Sequence, residues 1–265
     1  MPARPPCPAE AGADVDLTVR SRPAWESDAG VALGFDFAYA FQPIVDTQAR
    51  EVVAYEALVR GIRGEPAFEV LRRVEPGDLH RFDAASRIVA LAKASELGLA
   101  CDLNLNFLPQ SLLESTESIE STLAAADRCG MPIHRIVLEV TEGEVIEDAG
   151  QFARLINRYR ARGLKVAIDD FGAGYSGLNL LAVFQPDQIK IDMALVRGIE
   201  SDGPRQAIVR AIAGCCRDLG IEVIAEGVET GEEWRWLKSE GVHLFQGYLF
   251  AKPGFAMLPL VSFPD

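Results

Sequence analysis

The chain has 265 residues, 49% of them apolar, enough for one large core and a size common among (β/α) barrels. Its 26 Lys and Arg face 39 Asp and Glu, a net charge of −13. That balance argues against partnership with long nucleic acid, yet leaves room for a small phosphate ligand, because divalent cations turn an acidic cluster into an anion site.

The five cysteines (Cys7, Cys101, Cys129, Cys215, Cys216) have no C-x-x-C spacing and form no zinc array with the three histidines. Neither a signal-peptide pattern nor a bilayer-spanning run is present. The expectation is a soluble protein of the reducing cytoplasm with no membrane contact.

Residues 1–34, with Pro2, Pro5, Pro6 and Pro8 at the start, read as a loose tail in which Trp25 either docks on the domain or marks a partner contact. Residues 35–265 read as one domain. Two β-type runs, Tyr39 to Val45 and Glu51 to Val59, are separated by a hairpin-length polar stretch and should be antiparallel. A helix from about Asp78 to Leu97 ends at Gly98, and strand cores follow at Asp102 to Asn106, Ile136 to Val140, Lys165 to Asp169, Gln188 to Ile191, Glu222 to Ala225 and Leu244 to Gln246.

Between the strands lie two apolar helical stripes, Phe152/Leu155/Ile156/Tyr159 and Ile208/Ile212/Cys215/Leu219. Asp148 with Gln151 and Thr230 with Glu233 have capping-box spacing. Gly163, Gly220 and Gly241 stand where helix C-termini call for positive φ. The vicinal Cys215 and Cys216 fall inside a helix, where packing is the expected role. Eight strands in β-α alternation after an opening hairpin predict a modified TIM-type (β/α)8 barrel whose first strand runs against the others. An open doubly wound sheet is the alternative, and no G-x-G-x-x-G loop follows any strand to support it.

The stretch Val166 to Ser176 is an apolar run ending in Asp169, Asp170 and a Gly-punctuated loop. It reads as a buried strand delivering two carboxylates to its C-terminal end, or more blandly as a turn with an Asp cap. The other strand ends decide between them. Glu56, Asn106, Glu139, Glu226 (with Glu229 just after it), Lys190 and Gln246 all fall at or near the same rim. So many acids around one lysine are costly to bury unless cations join them. Oxygen donors without His or Cys favour Mg²⁺ or Mn²⁺, and this number of donors suits two ions, as in phosphoryl transfer. Lys190 orients the attacking water or offsets phosphate charge, unless it simply pairs with Asp192 or Glu226.

These residues also carry a resemblance. Phe41-Gln42-Pro43-Ile44, Tyr55-Glu56-Ala57-Leu58-Val59-Arg60, Glu139-Val140-Thr141-Glu142, Asp169-Asp170-Phe171-Gly172-Ala173-Gly174-Tyr175-Ser176, Lys190-Ile191-Asp192, Glu226-Gly227-Val228-Glu229 and Gln246-Gly247-Tyr248-Leu249-Phe250 occur in the order seen in EAL-domain phosphodiesterases. That family hydrolyses cyclic di-GMP to linear pGpG. The resemblance implies that Glu56, Asn106, Glu139 and Asp169 hold one metal and that Asp169 and Asp170 share a second. Glu226 would be a further ligand or the general base. Lys190, Gln246 and Glu229 would serve the water network, while Gln42, Leu58 and Arg60 would meet substrate.

Glu142 and the Asp170 to Ser176 loop resemble the family's loop-anchoring pair, which links metal binding to a homodimer. Where the family often shows Asn-x-Ser, this chain has Asn104-Leu105-Asn106-Phe107-Leu108-Pro109. Alignment through Pro109 selects Asn106, with Asn104, on the same strand face, as the fallback. A regulatory protein partner and a catalytically silent receptor for the dinucleotide are the remaining expectations.

Overall fold

The computed structural model describes residues 33–114, 117–142, 149–174 and 177–264. Trp25, Asp148, Tyr175, Ser176 and nearly all of the proposed tail lie outside them.

The opening hairpin is β1 (Ala38–Asp46) and β2 (Glu51–Arg60), paired antiparallel from Ala38 with Arg60 to Asp46 with Glu51. The chain continues through α1 (Ala67–Leu71), α2 (Leu79–Glu96), β3 (Asp102–Asn106), α3 (Pro109–Glu114), α4 (Glu117–Arg128) and β4 (Ile136–Thr141). It then forms α5 (Ala149–Arg160), β5 (Lys165–Phe171), α6 (Gly177–Val183), β6 (Gln188–Ile191) and α7 (Met193–Val196). Last come α8 (Gly203–Leu219), β7 (Glu222–Ala225), α9 (Gly231–Ser239), β8 (Leu244–Phe245) and β9 (Gly254–Phe255).

Strands β2 to β8 are parallel and sequential, and β1 closes the ring by pairing antiparallel with both β2 and β8. The predicted barrel with a reversed first strand is therefore the fold. The two-residue β9, unanticipated, pairs with the outer part of β1 through Ala40 and Phe41.

The main core lies between the strands and the helices around them. Phe152, Ile156 and Tyr159 of α5 are buried there as their spacing predicted, and each contributes about 1.5–3 kcal/mol of apolar burial. For α8 the expected stripe is rotated by one residue. Val209, Ile212, Ala213 and Cys216 face the core, while Ile208 and Leu219 are exposed. Both sets have helical spacing, and contact with the barrel selects the one whose branched residues fill it. Cys216 is buried and its thiol is pushed up to about 12 by that burial, consistent with packing. Thr230 and Glu233 form the predicted capping box. Gly163, Gly220 and Gly241 have φ of 106°, 73° and 93°. Among the described residues no helix is long and apolar enough to cross a membrane.

Candidate active site

Side chains alternate along each strand, so residues at matched register from neighbouring strands point together into the barrel. At its C-terminal mouth four of them meet one lysine. Lys190 of β6, 1% exposed, places Nζ 3.2 Å from Glu56 Oε2 of β2, 2.9 Å from Glu139 Oε1 of β4, 3.1 Å from Asp169 Oδ1 of β5 and 2.5 Å from Glu226 Oε1 just past β7. Pairing with Glu226 is thus part of a larger ring rather than an isolated salt bridge. Burial alone would push the Lys190 ammonium down, but Asp169, Glu139, Glu226 and Glu56 together hold it well above its usual value.

One positive charge cannot offset four negative ones in such a place. Burial and the neighbouring acids drive Glu139 up to about 8 and Glu226 well above the usual carboxylate range. The ring is short of positive charge.

Gln246 of the β8 end, 3% exposed, donates Nε2 to Glu56 Oε2 at 2.8 Å. On β3 the two asparagines divide. Asn104 is fully buried and donates Nδ2 to Glu139 Oε1 at 2.8 Å. Asn106 is exposed at the strand end and lines a cavity of about 260 Å³ together with Leu58 and Glu139. Asn106→Ala should therefore lower activity with little change in thermal stability. Asn104→Ala should lower stability by about 1–3 kcal/mol by removing a partner from a buried carboxylate. Thermal melts beside initial rates check both, and a stability loss confined to Asn106→Ala would reverse the assignment.

Asp169 and Asp170 reach the same space from adjacent positions because the strand end curls. Asp170 has φ +53° and the β5–β6 register shifts between Ile168 and Phe171. Partial burial and the Asp169 carboxylate raise Asp170 to about 6. The loop beyond is held from β4: Glu142, 4% exposed, accepts the amides of Gly172 at 2.6 Å and Gly174 at 3.3 Å through Oε2. A Cβ on Gly174 would stand 2.9 Å from Glu142 Oε1, so a larger residue there would have to displace the end of the Glu142 side chain that holds the loop. Glu142→Ala should cut turnover about tenfold or more, the size expected when an outer positioning group is lost. Unchanged kinetics in a steady-state assay would refute that coupling.

A second cavity, about 430 Å³, opens directly over the ring and is lined by Gln42, Glu56, Asp169, Asp170, Glu226 and Gln246, among others. Glu229 lies on its rim and is ion-paired to Arg197, which holds its carboxyl below the usual range. Arg60, expected to meet substrate, lines neither cavity and donates Nη1 to its own neighbour Val59 O at 2.7 Å. Arg197, which does line the larger one, was not singled out from the sequence, since it follows a four-residue helix with no periodic signal.

The donor set suits divalent cations. Single oxygens of Glu56, Glu139 and Asp169 lie within 4.8 Å of one another, as do those of Asp169, Asp170 and Glu226, so Asp169 belongs to both groups. Glu139 Oε2 is buried with no hydrogen-bond partner among the described residues. All-oxygen carboxylate ligands are the hard donors that Mg²⁺ and Mn²⁺ prefer.

A closed (β/α)8 barrel with a reversed first strand and two overlapping carboxylate clusters at its mouth defines the class of site: an acidic centre whose oxygen donors could hold divalent cations. The family model described as EAL domain matches residues 31–253. The chain belongs to the EAL domain family. It is 39% identical over 228 residues, 86% of this chain and 57% of the relative, to the blue light- and temperature-regulated antirepressor BluF of Escherichia coli K12. It is 33% identical over 233 residues, 84% of this chain and 34% of the relative, to the cyclic di-GMP phosphodiesterase PdeR of the same organism. The chain thus spans little more than half of the first of these relatives and about a third of the second. A standalone EAL protein from Vibrio cholerae O395, solved in a c-di-GMP-bound form, superposes with a TM-score of 0.82 at 47% identity, covering 86% of this chain and 96% of that one.

Proposed function

We propose that the chain is a phosphodiesterase that uses Mg²⁺ or Mn²⁺, as two ions, to hydrolyse cyclic di-GMP to pGpG. The observation that carries this is the pair of carboxylate clusters sharing Asp169, with Glu139 Oε2 buried and without a hydrogen-bond partner among the described residues. When bound, the cations lower the pKa of water and stabilise the charge that develops on phosphate.

The chain's own groups supply the rest. Glu56, Asn106, Glu139, Asp169 and Asp170 serve as the ligands. Glu226, whose burial keeps its carboxyl basic, accepts the proton of the attacking water or completes the ligand set. Lys190 offsets phosphate charge, Gln246 fixes the orientation of Glu56 through its hydrogen bond, and Glu142 holds the loop after Asp170. Leu178 and Val183 of α6, directly beyond that loop, are 64% and 52% exposed, which fits a second copy of the chain as partner.

Incubation with cyclic di-GMP and Mn²⁺ or Mg²⁺, with and without chelator, tests this by chromatographic separation of nucleotides. Chelator-sensitive formation of pGpG supports it. Binding without conversion under both metals would favour the receptor reading; the likeness to an antirepressor supports a regulatory role in either case.

A further inference from the structure

A cyclic dinucleotide carries two phosphodiesters, and only one can be cleaved in a given turnover. The other is an anion that enters a cavity walled by Glu56, Asp169, Asp170 and Glu226. Lys190 is not available to it, because its ammonium lies among the carboxylates proposed to act on the scissile phosphate. Among the described residues lining that cavity, the remaining cation is Arg197.

We infer that Arg197 binds the second, non-scissile phosphate of the substrate and so selects a cyclic dinucleotide over a simple diester. This rests on the proposed hydrolysis. The guanidinium has five N–H donors, and Glu229 engages it through Nη2 on a side chain still 34% exposed. The remaining donors suit the planar, two-point recognition of phosphate at which arginine excels.

The side chain is also pre-placed. The Arg197 amide donates to Met193 O at 2.9 Å, its carbonyl accepts from Arg205 Nη1, and Gly198 then turns the chain with φ +65°. Glu233 ties the two facing loops together. Only 3% exposed, its carboxylate accepts the amides of Gly198 at 3.0 Å, Glu229 at 2.9 Å and Thr230 at 3.0 Å. One buried group on α9 thereby fixes the backbone beside Arg197 and the backbone of its partner Glu229. The cost of ordering the arginine is met before substrate arrives. Glu233 is a positioning residue in this arrangement, and Arg197 the contact.

The test compares the full chain with its Arg197→Ala, Arg197→Lys and Glu233→Gln variants on two substrates with Mn²⁺: cyclic di-GMP, and bis(p-nitrophenyl) phosphate, which has a single diester. For Arg197→Ala, KM for cyclic di-GMP should rise about tenfold or more, while kcat/KM for the small diester changes much less. Arg197→Lys should recover part of the loss, and Glu233→Gln should raise KM on its own but add little in the Arg197→Ala background. A parallel loss on both substrates, or no change in KM, overturns the proposal.

If the wild type cleaves neither substrate, the phosphodiesterase reading fails separately, and calorimetric Kd values for cyclic di-GMP decide the arginine. A weakened Kd in Arg197→Ala upholds its contact, and an equal Kd, or no binding by wild type, removes it. Cleavage of the small diester alone, without binding of the dinucleotide, also overturns it.

Discussion

Glu56→Ala is expected to abolish turnover of cyclic di-GMP while leaving the barrel folded. Loss of an outer group that orients a ligand already costs about 10–100-fold, so removal of a carboxylate in the first cluster should cost at least about a hundredfold. Glu56 donates one oxygen to the group formed with Glu139 and Asp169, and its Oε2 also receives Lys190 at 3.2 Å and Gln246 at 2.8 Å. Stability should change far less, because the lost acceptor of Gln246 is offset by relief of repulsion in the ring. Lys190 keeps Glu139, Asp169 and Glu226 after the substitution, and the ring loses one of its mutually repelling charges. The combination is diagnostic: rates on cyclic di-GMP with Mn²⁺, beside melting of the metal-free protein, separate a lost ligand from a lost fold. Near-normal rates would remove Glu56 from the ligand set, and a much lower melting temperature would make it a structural residue.

The same separation of local from non-local information explains what could be read in the chain beforehand. The strands were legible because each is a short apolar run between a glycine or polar turn and a helix; β3 at Asp102–Asn106 and β6 at Gln188–Ile191 fall where the runs place them. Their closure into a barrel followed from the alternation and from the short hairpin ahead of it. β9 was not legible, since two residues have no period, and its pairing with Ala40 and Phe41 depends on where the chain returns. Nor was the facing of α8, where 208/212/215/219 and 209/212/213/216 both have helical spacing and only the packing against the barrel distinguishes them.

The carboxylates of the site could be found because a run of acids at consecutive strand ends has no cheap structural explanation. That a single lysine faces them was legible too, but not that four of them enclose its ammonium within 3.2 Å. Glu56 and Lys190 are 134 residues apart and meet only across the closed barrel. Arg197 was hidden for the same reason, because its partner Glu229 lies on the next loop and its support, Glu233, on a helix after that. Local signals mark elements and candidate ligands, while charge balance is a property of the closed structure.

That charge balance yields the second large effect. Lys190→Met removes the ammonium from among four carboxylates and should destabilise the metal-free protein by about 3–5 kcal/mol, the usual cost of breaking a buried ion pair from one side. For a chain of this size that corresponds to a fall of very roughly 10 °C in melting temperature. The deficit should depend on pH in a defined direction. Glu139 is already raised from 4.5 to about 8 with Lys190 present, and losing the cation that lowers it can only raise it further. Between the unfolded and folded values the native state binds more protons than the unfolded one, so stability falls as pH rises from about 4.5 through 8. Up to about pH 8 both proteins keep that proton and their stabilities fall together; above it wild type has released it and the variant has not, so Lys190→Met should lie closer to wild type at pH 5 than at pH 9. Added Mn²⁺ replaces the missing positive charge and should raise the melting temperature of Lys190→Met more than that of wild type at pH 8. Turnover should remain low even then, because the cation that offsets phosphate charge is gone. Equal melting temperatures at pH 8 without metal would show that the carboxylates are neutralised by some other means, and would take Lys190 out of the centre of the site.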